Sequence, residues 1–258
     1  TIKNNCRRLL IDTVLFDMGG TLEDIFVNKS SSLEAAKRVL EISKAHGFPI
    51  DADPEAAEQL VQKGWDDYGK QRDSDDRELK PEEIWGNYVM PQFGLTFEQV
   101  KPFSEELAYM YEVTHYHRVL RPSVKEMLEG LQNLGMKLGI ISNTASLYQV
   151  FQILDDYGIR GYFKDVTLSS VTGYRKPDTN IFKVSLYQIR SKAENCAYVG
   201  DTYSRDILGA IRAGFSETFH IKSQLTKFKD IGQYGVEPTH TIDDIYDVYT
   251  ILKAEKEA

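Results

Sequence analysis

Short apolar runs that end at polar residues constrain the fold of this chain more than any other feature. The first run, residues 13–16, stops at Asp17 and meets Gly19 and Gly20, a pair that favours a turn. Similar runs are found at residues 137–142, 165–169 and 196–200, and weaker ones at 218–221 and 239–242. Each has the length of a buried strand. The runs therefore predict strands that lead into polar loops.

Helical patterns lie between these predicted strands. Apolar residues recur at helical spacing in residues 124–134 and 147–154, with Gly135 and Gly158 as stop signals, and more weakly in residues 181–189 and 207–211. Strands that alternate with helices are typical of a parallel sheet with helical crossovers. We therefore predict an α/β fold.

The stretch from Asp24 to His117 differs from the rest of the chain, because it shows no convincing strand. Four helical segments are predicted there, at residues 32–46, 53–71, 81–90 and 96–113. The stretch lies between the first and second predicted strands of the sheet. We predict an inserted all-α subdomain at residues 24–117 and a core domain made of residues 1–23 and 118–258.

Composition excludes several classes of protein. Of 258 residues, 31 are Lys or Arg and 39 are Asp or Glu, which gives a net charge of -8. An acidic chain without a basic stripe is a poor nucleic-acid binder. No apolar run is long enough to span a membrane. The two distant cysteines, Cys6 and Cys196, do not indicate a disulfide framework, so we expect a cytoplasmic protein. An acidic chain of this kind could be either a monomer or a homodimer.

The residues at the predicted strand ends indicate a chemistry. Ligands of parallel α/β sheets bind beyond the carboxyl ends of the strands. Asp17, Asp201 and Asp206 would place three carboxylates there, and a divalent cation together with Lys176 would neutralise them. Carboxylate oxygens suit Mg²⁺. Ser142 and Lys176 would hold phosphate oxygens, which leaves one oxygen of Asp17 to attack phosphorus.

Four sequence motifs carry a resemblance to a known family. They are LFDMGGTL at residues 15–22, IISNT at 140–144, GYRKPDTNIF at 173–182 and VGDTYSRDILGAIRAG at 199–214. In this order the motifs resemble those of the haloacid dehalogenase superfamily, in the branch with a helical cap inserted after the first motif. The resemblance implies a Rossmann-like parallel sheet with helices on both faces, an aspartyl-phosphate intermediate and Mg²⁺.

The resemblance also implies roles for individual residues. The expected catalytic residues are Asp17, Ser142 and Lys176. The expected phosphate-binding residues are Gly20, Thr21, Ser142, Asn143 and Lys176. The expected metal ligands are Asp17, Asp201, Asp206 and the backbone carbonyl of Gly19. The expected activity is hydrolysis of a small phosphorylated metabolite.

One position departs from the family pattern. Phosphatases of the family usually carry a second Asp, a general acid/base, two residues after the nucleophile, where this chain has Gly19. Loss of general acid/base help costs about 10²–10⁴ in rate. This leaves open a catalytically weak binding or regulatory protein. It also leaves open a phosphonatase that uses Lys44, Lys63 or Lys70, or a dehalogenase, although Asp201 and Asp206 argue against the last.

Overall fold

The predicted strands form one parallel sheet. The computed structural model describes residues 11–75, 77–223 and 235–257. Within them eight strands are found: β1 Thr13–Phe16, β2 Glu23–Phe26, β3 His117–Leu120, β4 Lys137–Ser142, β5 Asp165–Leu168, β6 Cys196–Gly200, β7 Glu217–Ile221 and β8 His240–Ile242. Six of them form a sheet in the order β5-β4-β1-β6-β7-β8, with every neighbouring pair parallel. The α/β, Rossmann-like prediction is confirmed.

Helices connect these strands and fill the insertion. The α-helices of the described residues are α1 Lys29–Ala45, α2 Pro54–Asp75, α3 Pro81–Ile84, α4 Phe97–Val100, α5 Ser104–His115, α6 Val124–Asn133, α7 Gln149–Asp156, α8 Ser169–Thr172, α9 Thr179–Ile189, α10 Leu208–Ala213 and α11 Asp247–Glu257. Single π-helical turns, Trp85–Val89 and Tyr203–Ile207, continue α3 and precede α10.

Strand β1 lies at the centre of the sheet and is buried on both faces. Val14 and Phe16 point into a core with residues of α6 and α11, whereas Leu15 points into a second core with residues of α9 and α10. All three side chains are fully buried. A parallel strand covered by helices on both faces is expected to be continuously apolar, which explains why the run is apolar at every position and does not alternate.

Helix α6 shows how a sequence pattern produces the packing. Val124, Met127, Leu128 and Leu131 are buried and recur at the i, i+3, i+4, i+7 spacing of one helix face. The chain leaves the helix at Gly135, which has a φ of 78°. This conformation favours glycine and ends the helix before β4 begins.

The insertion builds a core of its own. Helices from α1 to α5 pack around a cluster that includes the buried rings of Tyr68 and Trp85. Trp65 stacks on Tyr111 with ring centroids 5.1 Å apart. Aromatic pairs of this kind add to the free energy gained by burial. The insertion is therefore held together largely by contacts among its own helices.

The insertion begins and ends in a pair of strands that the sequence did not predict. Strands β2 and β3 are antiparallel, with Glu23 opposite Leu120 and Phe26 opposite His117. The prediction that no strand lies between Asp24 and His117 was wrong. Each strand has only four residues and Phe26 is exposed, so no long alternating pattern marks them. The division into residues 24–117 and a core stays a prediction, and the paired strands bring its two ends together.

Two observations relate to the expected location of the protein. No helix among the described residues is long and apolar enough to cross a membrane. Cys196 is buried with a free thiol, and Cys6 lies outside the described residues. The cytoplasmic location and the oligomeric state stay predictions.

Candidate active site

The polar residues predicted at the strand ends meet at one edge of the sheet. Asp17 follows β1, Ser142 ends β4 and Asp201 follows β6, and β4 and β6 are the two neighbours of β1. The chain runs from β1 to β4 on one side and from β6 to β7 on the other, which creates the crevice where such folds bind ligands. A cavity of about 210 Å³ lies there, with Asp17, Ser142 and Lys176 among its lining residues.

Lys176 is the charged centre of this site. Its side chain is almost completely buried, and Nζ lies 2.6 Å from Oδ1 of Asp17 and 2.7 Å from Oδ1 of Asp206. Nζ also donates to the carbonyl oxygen of Ile141 at 2.9 Å and lies 3.1 Å from the hydroxyl of Tyr198. The ammonium group therefore links the ends of β1, β4 and β6.

The three predicted acids form one cluster. Asp17, Asp201 and Asp206 are buried, and each offers a carboxylate oxygen within 4.8 Å of those of the other two. The backbone N–H of Thr202 holds Oδ2 of Asp206 at 3.0 Å. A Cβ atom on Gly200 would lie 2.3 Å from the Cβ of Asp206, so only glycine allows this approach.

Burial and mutual repulsion act on the charges of this cluster. Burial raises the pKa of Asp17, and the positive charge of Lys176 opposes the rise. Burial, together with the charges of Asp17 and Asp206, raises the pKa of Asp201 to about 7. Burial alone would lower the pKa of Lys176, but the carboxylates of Asp17 and Asp206 outweigh burial and raise it. When all three acids are ionised, the cluster carries more negative charge than Lys176 alone can balance, and this repulsion contributes to the raised pKa values.

The donor set fits a divalent cation. Three carboxylates and one ammonium leave two negative charges, which is the charge that Mg²⁺ would balance, and oxygen ligands are those it prefers. Gly20 supports the same arrangement: its φ is 91°, and a Cβ there would lie 2.2 Å from Oδ2 of Asp201. The loop after β1 therefore approaches the carboxylate as closely as glycine permits.

The other residues predicted for the site have different surroundings. Gly19, Ser142 and Asn143 line the cavity. Gly20 and Thr21 do not, because Gly20 lies against Asp201 and the hydroxyl of Thr21 donates to Oδ2 of Asp17 at 3.2 Å. Their role in binding phosphate stays a prediction.

Two buried ion networks border the cavity, and neither was predicted. Arg118 on β3 pairs with Glu23 on β2 and with Glu112 on α5, the latter at 2.7 Å. Glu78 pairs with Arg175, the residue before Lys176. Glu23 and Arg118 lie 95 residues apart in sequence, and Glu78 and Arg175 lie 97 apart, so no local pattern signals these pairs. Only Glu112 and Arg118 are close in sequence.

Tyr198 and Arg205 were also missed. The sequence pattern places Tyr198 in the predicted strand at residues 196–200, and a phenol in an otherwise apolar run that ends at Asp201 is a usable signal of a further role. Its hydroxyl donates to Oδ1 of Asp206 at 3.2 Å. Arg205 lines the cavity and donates to the hydroxyl of Thr202 at 3.0 Å.

The lysines considered for a phosphonatase lie on exposed surfaces. Lys63 and Lys70 both pair with Asp67 on the exposed side of α2, and Lys44 is exposed near the end of α1. None of the three is among the residues that line the cavity. Of the described lysines, only Lys176 contributes to its wall.

The chain is similar in sequence to known hydrolases. The sequence model of the haloacid dehalogenase-like hydrolases matches residues 11–214, which include every residue predicted for the site. The chain is 26% identical, over 252 residues, to a glyceraldehyde 3-phosphate phosphatase of Methanocaldococcus jannaschii, and the alignment covers 95% of this chain and 100% of that protein.

A second relative matches part of the chain in sequence, and a solved structure matches most of it in fold. A glyceraldehyde 3-phosphate phosphatase of Methanothermobacter thermautotrophicus is 34% identical over 145 residues, which are 53% of this chain and 63% of that protein. The crystal structure of a HAD phosphatase from Thermococcus onnurineus superposes with a TM-score of 0.60 at 21% identity, covering 94% of this chain and 98% of the other. The structural match supports the fold alone.

Proposed function

This chain belongs to the haloacid dehalogenase-like hydrolase family, and we propose that it is a phosphatase that acts on a small phosphorylated metabolite. Asp17 attacks phosphorus and carries the phosphoryl group as an aspartyl-phosphate, which water then hydrolyses. The observation that carries this proposal is the 2.6 Å contact between Nζ of Lys176 and Oδ1 of Asp17, beside two further carboxylates.

Lys176 has two tasks in this proposal. Its charge opposes the rise in the pKa of Asp17 that burial causes and so favours the ionised carboxylate, the form that acts as a nucleophile. The same ammonium group, together with Ser142, also balances charge on the transferring phosphoryl group. The side-chain amide of Asn143 holds the backbone of Lys176 by two hydrogen bonds. The backbone N–H of Asn143 would donate to a phosphate oxygen. Gly20 and Thr21 complete the proposed phosphate-binding loop.

The cofactor of the proposed reaction is Mg²⁺. Asp17, Asp201, Asp206 and the carbonyl oxygen of Gly19 would hold the ion. When bound, it stabilises the negative charge that develops on the phosphoryl oxygens. The protein contributes the buried carboxylates and the close approach of Gly20 to Asp201.

The cavity supports a small substrate. Its volume of about 210 Å³ lies below the roughly 300–1,000 Å³ of pockets for drug-sized ligands. The two archaeal relatives are named for phosphatase activity on glyceraldehyde 3-phosphate, a three-carbon ester. Trp65, Tyr68 and Glu112 of the insertion line the cavity, so we propose that residues 24–117 act as a cap that excludes water and selects the substrate.

Phosphate release from a panel of phosphate esters tests this proposal. The panel contains triose phosphates, other sugar phosphates and aryl phosphates, each with Mg²⁺ and with EDTA. We expect release that requires Mg²⁺ and is lost in Asp17→Asn, whereas Asp155→Asn on the exposed side of α7 keeps it. Release that survives in Asp17→Asn would contradict the covalent mechanism. A folded wild type that binds Mg²⁺ and releases phosphate from none of the esters would favour the non-catalytic alternative.

A further inference from the structure

The loop beside the nucleophile lacks a group that can protonate a leaving alkoxide. Gly19 has no side chain, and a Cβ added there would lie 2.5 Å from Cδ1 of Ile25 and 3.8 Å from an Nη atom of Arg118. Ile25 thus fills the space in which a side chain at position 19 would begin, and Arg118 borders it. The alkoxide of an ordinary alcohol is a poor leaving group, so its phosphate ester is cleaved slowly without general acid help.

Most acids around the cavity have both oxygens occupied. Glu78 accepts hydrogen bonds from Tyr68 on Oε1 and from Ser169 and Arg175 on Oε2. Glu23 is not among the lining residues, and it accepts hydrogen bonds from Arg118 on Oε1 and from Tyr157 on Oε2.

The remaining groups near the cavity are also unsuitable as the acid. Asp17 and Asp206 are the nucleophile and a proposed metal ligand. Tyr68 and Tyr116 line the cavity, but burial raises the pKa of Tyr68, and it raises that of Tyr116 to about 12, far from the values that suit proton transfer near neutral pH. No histidine is among the lining residues.

Glu112 is the carboxyl group that remains. It lies in the last turn of α5 and lines the cavity, with 13% of its side chain exposed. Its Oε2 accepts a hydrogen bond from Arg118 at 2.7 Å. Among the described residues, no donor contacts Oε1. Arg118 is the residue that borders the empty position at Gly19, so one guanidinium group connects that position to Glu112.

We propose that Glu112 is the general acid and base of the phosphatase reaction, which rests on the function proposed above. In the first step an oxygen of Asp17 bonds to phosphorus, the bond from phosphorus to the alcohol oxygen breaks, and the Glu112 carboxyl group gives its proton to that oxygen. In the second step water gives a proton to the Glu112 carboxylate and bonds to phosphorus. The bond from phosphorus to Asp17 breaks, and inorganic phosphate leaves.

The charges around Glu112 suit this exchange of a proton. Burial raises the pKa of Glu112, and Arg118 partly opposes that rise, whereas Glu78 and Glu23 add to it. Tyr116 adjoins the same group. Arg118 keeps Glu23 as a partner when Glu112 is neutral, so protonation leaves no buried cation without a counter-charge.

The test compares Glu112→Gln with wild type on two leaving groups. We expect kcat/KM to fall about 10²–10³-fold on an alkyl phosphate such as a triose phosphate. On 4-nitrophenyl phosphate, whose leaving group needs no proton, we expect a fall of less than about tenfold. Glu106→Gln, on the exposed side of the same helix, is the matched control and should change neither value. The fall of kcat/KM at alkaline pH should be lost in Glu112→Gln, and Glu112→Asp should restore part of the alkyl phosphate activity.

A second experiment tests whether a carboxyl group at position 19 can replace Glu112. In the Glu112→Gln background, we expect Gly19→Asp to recover at least about tenfold of kcat/KM on the alkyl phosphate, and Gly19→Asn to recover none. The end of the Ile25 side chain must shift to admit either residue, so both variants carry the same steric burden.

The outcomes separate the two proposals. Equal losses on both leaving groups, with an unchanged pH profile, would mean that Glu112 only supports Arg118, and would overturn its role as acid and base. A wild type that shows no Asp17-dependent turnover on any ester would overturn the phosphatase function and the role of Glu112 with it.

Discussion

The side-chain amide of Asn143 hydrogen-bonds both backbone polar groups of Lys176. Nδ2 donates to the carbonyl oxygen at 3.1 Å, and Oδ1 accepts from the N–H at 3.0 Å. Asn143 follows β4, and Lys176 follows α8, so this clamp joins two loops that are 33 residues apart in sequence. It places the ammonium group between the two carboxylates it contacts.

Removal of this clamp is expected to affect catalysis more than folding. Asn143→Ala loses two hydrogen bonds worth about 1 kcal/mol each, which corresponds to a fall of roughly 30-fold in kcat/KM when the loss is expressed in the transition state. Steady-state kinetics on the best phosphate ester measures it. Asn133→Ala, at the exposed end of α6, is the control. Unchanged kinetics in Asn143→Ala would mean that other contacts suffice to position Lys176.

The pair of Glu78 and Arg175 is expected to contribute to stability. Both side chains are buried, and Glu78 also accepts from Tyr68 and Ser169. Glu78→Gln leaves Arg175 as a buried cation without its counter-charge, which costs about 3–5 kcal/mol in the free energy of unfolding. Urea denaturation measures the change.

Two comparisons separate the buried pair from a general loss of charge. Glu34→Gln removes a partner of the exposed pair with Arg38 and should have little effect. Replacement of both Glu78 and Arg175 by apolar residues should restore part of the stability lost in Glu78→Gln. A Glu78→Gln variant as stable as wild type would show that Arg175 is adequately solvated.

Gly20→Ala is expected to weaken metal binding, whereas Gly47→Ala is not. The two glycines have φ values of 91° and 88°, so alanine suffers the same backbone strain of about 1–2 kcal/mol at both. Only at Gly20 does the new Cβ meet another group, Oδ2 of Asp201 at 2.2 Å, since nothing lies within 4 Å at Gly47. Calorimetric titration with Mg²⁺ compares the two variants, and equal affinities would contradict the proposed role of Asp201.

Without Mg²⁺, the acidic cluster is expected to make stability depend on pH. The pKa of Asp201 in the folded protein is raised to about 7, above its unfolded value near 4, so the folded state binds the proton more tightly. The free energy of unfolding therefore falls as pH rises from about 4 to about 7, and this loss is complete above pH 7.

A comparison with Asp201→Asn isolates this contribution. In EDTA, the stability difference between wild type and Asp201→Asn should change over that pH range, in the direction that disfavours wild type at higher pH. Saturating Mg²⁺ should reverse the trend, because the ion binds the ionised carboxylates of the folded protein. Thermal unfolding at several pH values measures both effects, and a difference that stays constant with pH in EDTA would contradict the raised pKa.

Local patterns in the sequence predicted the sheet well. The apolar runs at residues 13–16, 137–142 and 196–200 coincide with β1, β4 and β6. They are recognisable because a strand buried on both faces must be apolar throughout. The pair β2 and β3 escaped, since each strand is short, partly exposed and stabilised by its partner from 91 or more positions away.

The candidate site divides in the same way. The sequence by itself determined that Asp17, Ser142, Lys176, Asp201 and Asp206 lie at or beyond the carboxyl ends of strands, because parallel strands deliver these ends to one edge of the sheet. Only the tertiary structure decided that Arg118 lies beside Gly19 and holds Glu112 from another element. Such contacts depend on how an insertion packs against the sheet. That packing follows from the shape and burial of many side chains at once, and no spacing between neighbouring residues encodes it.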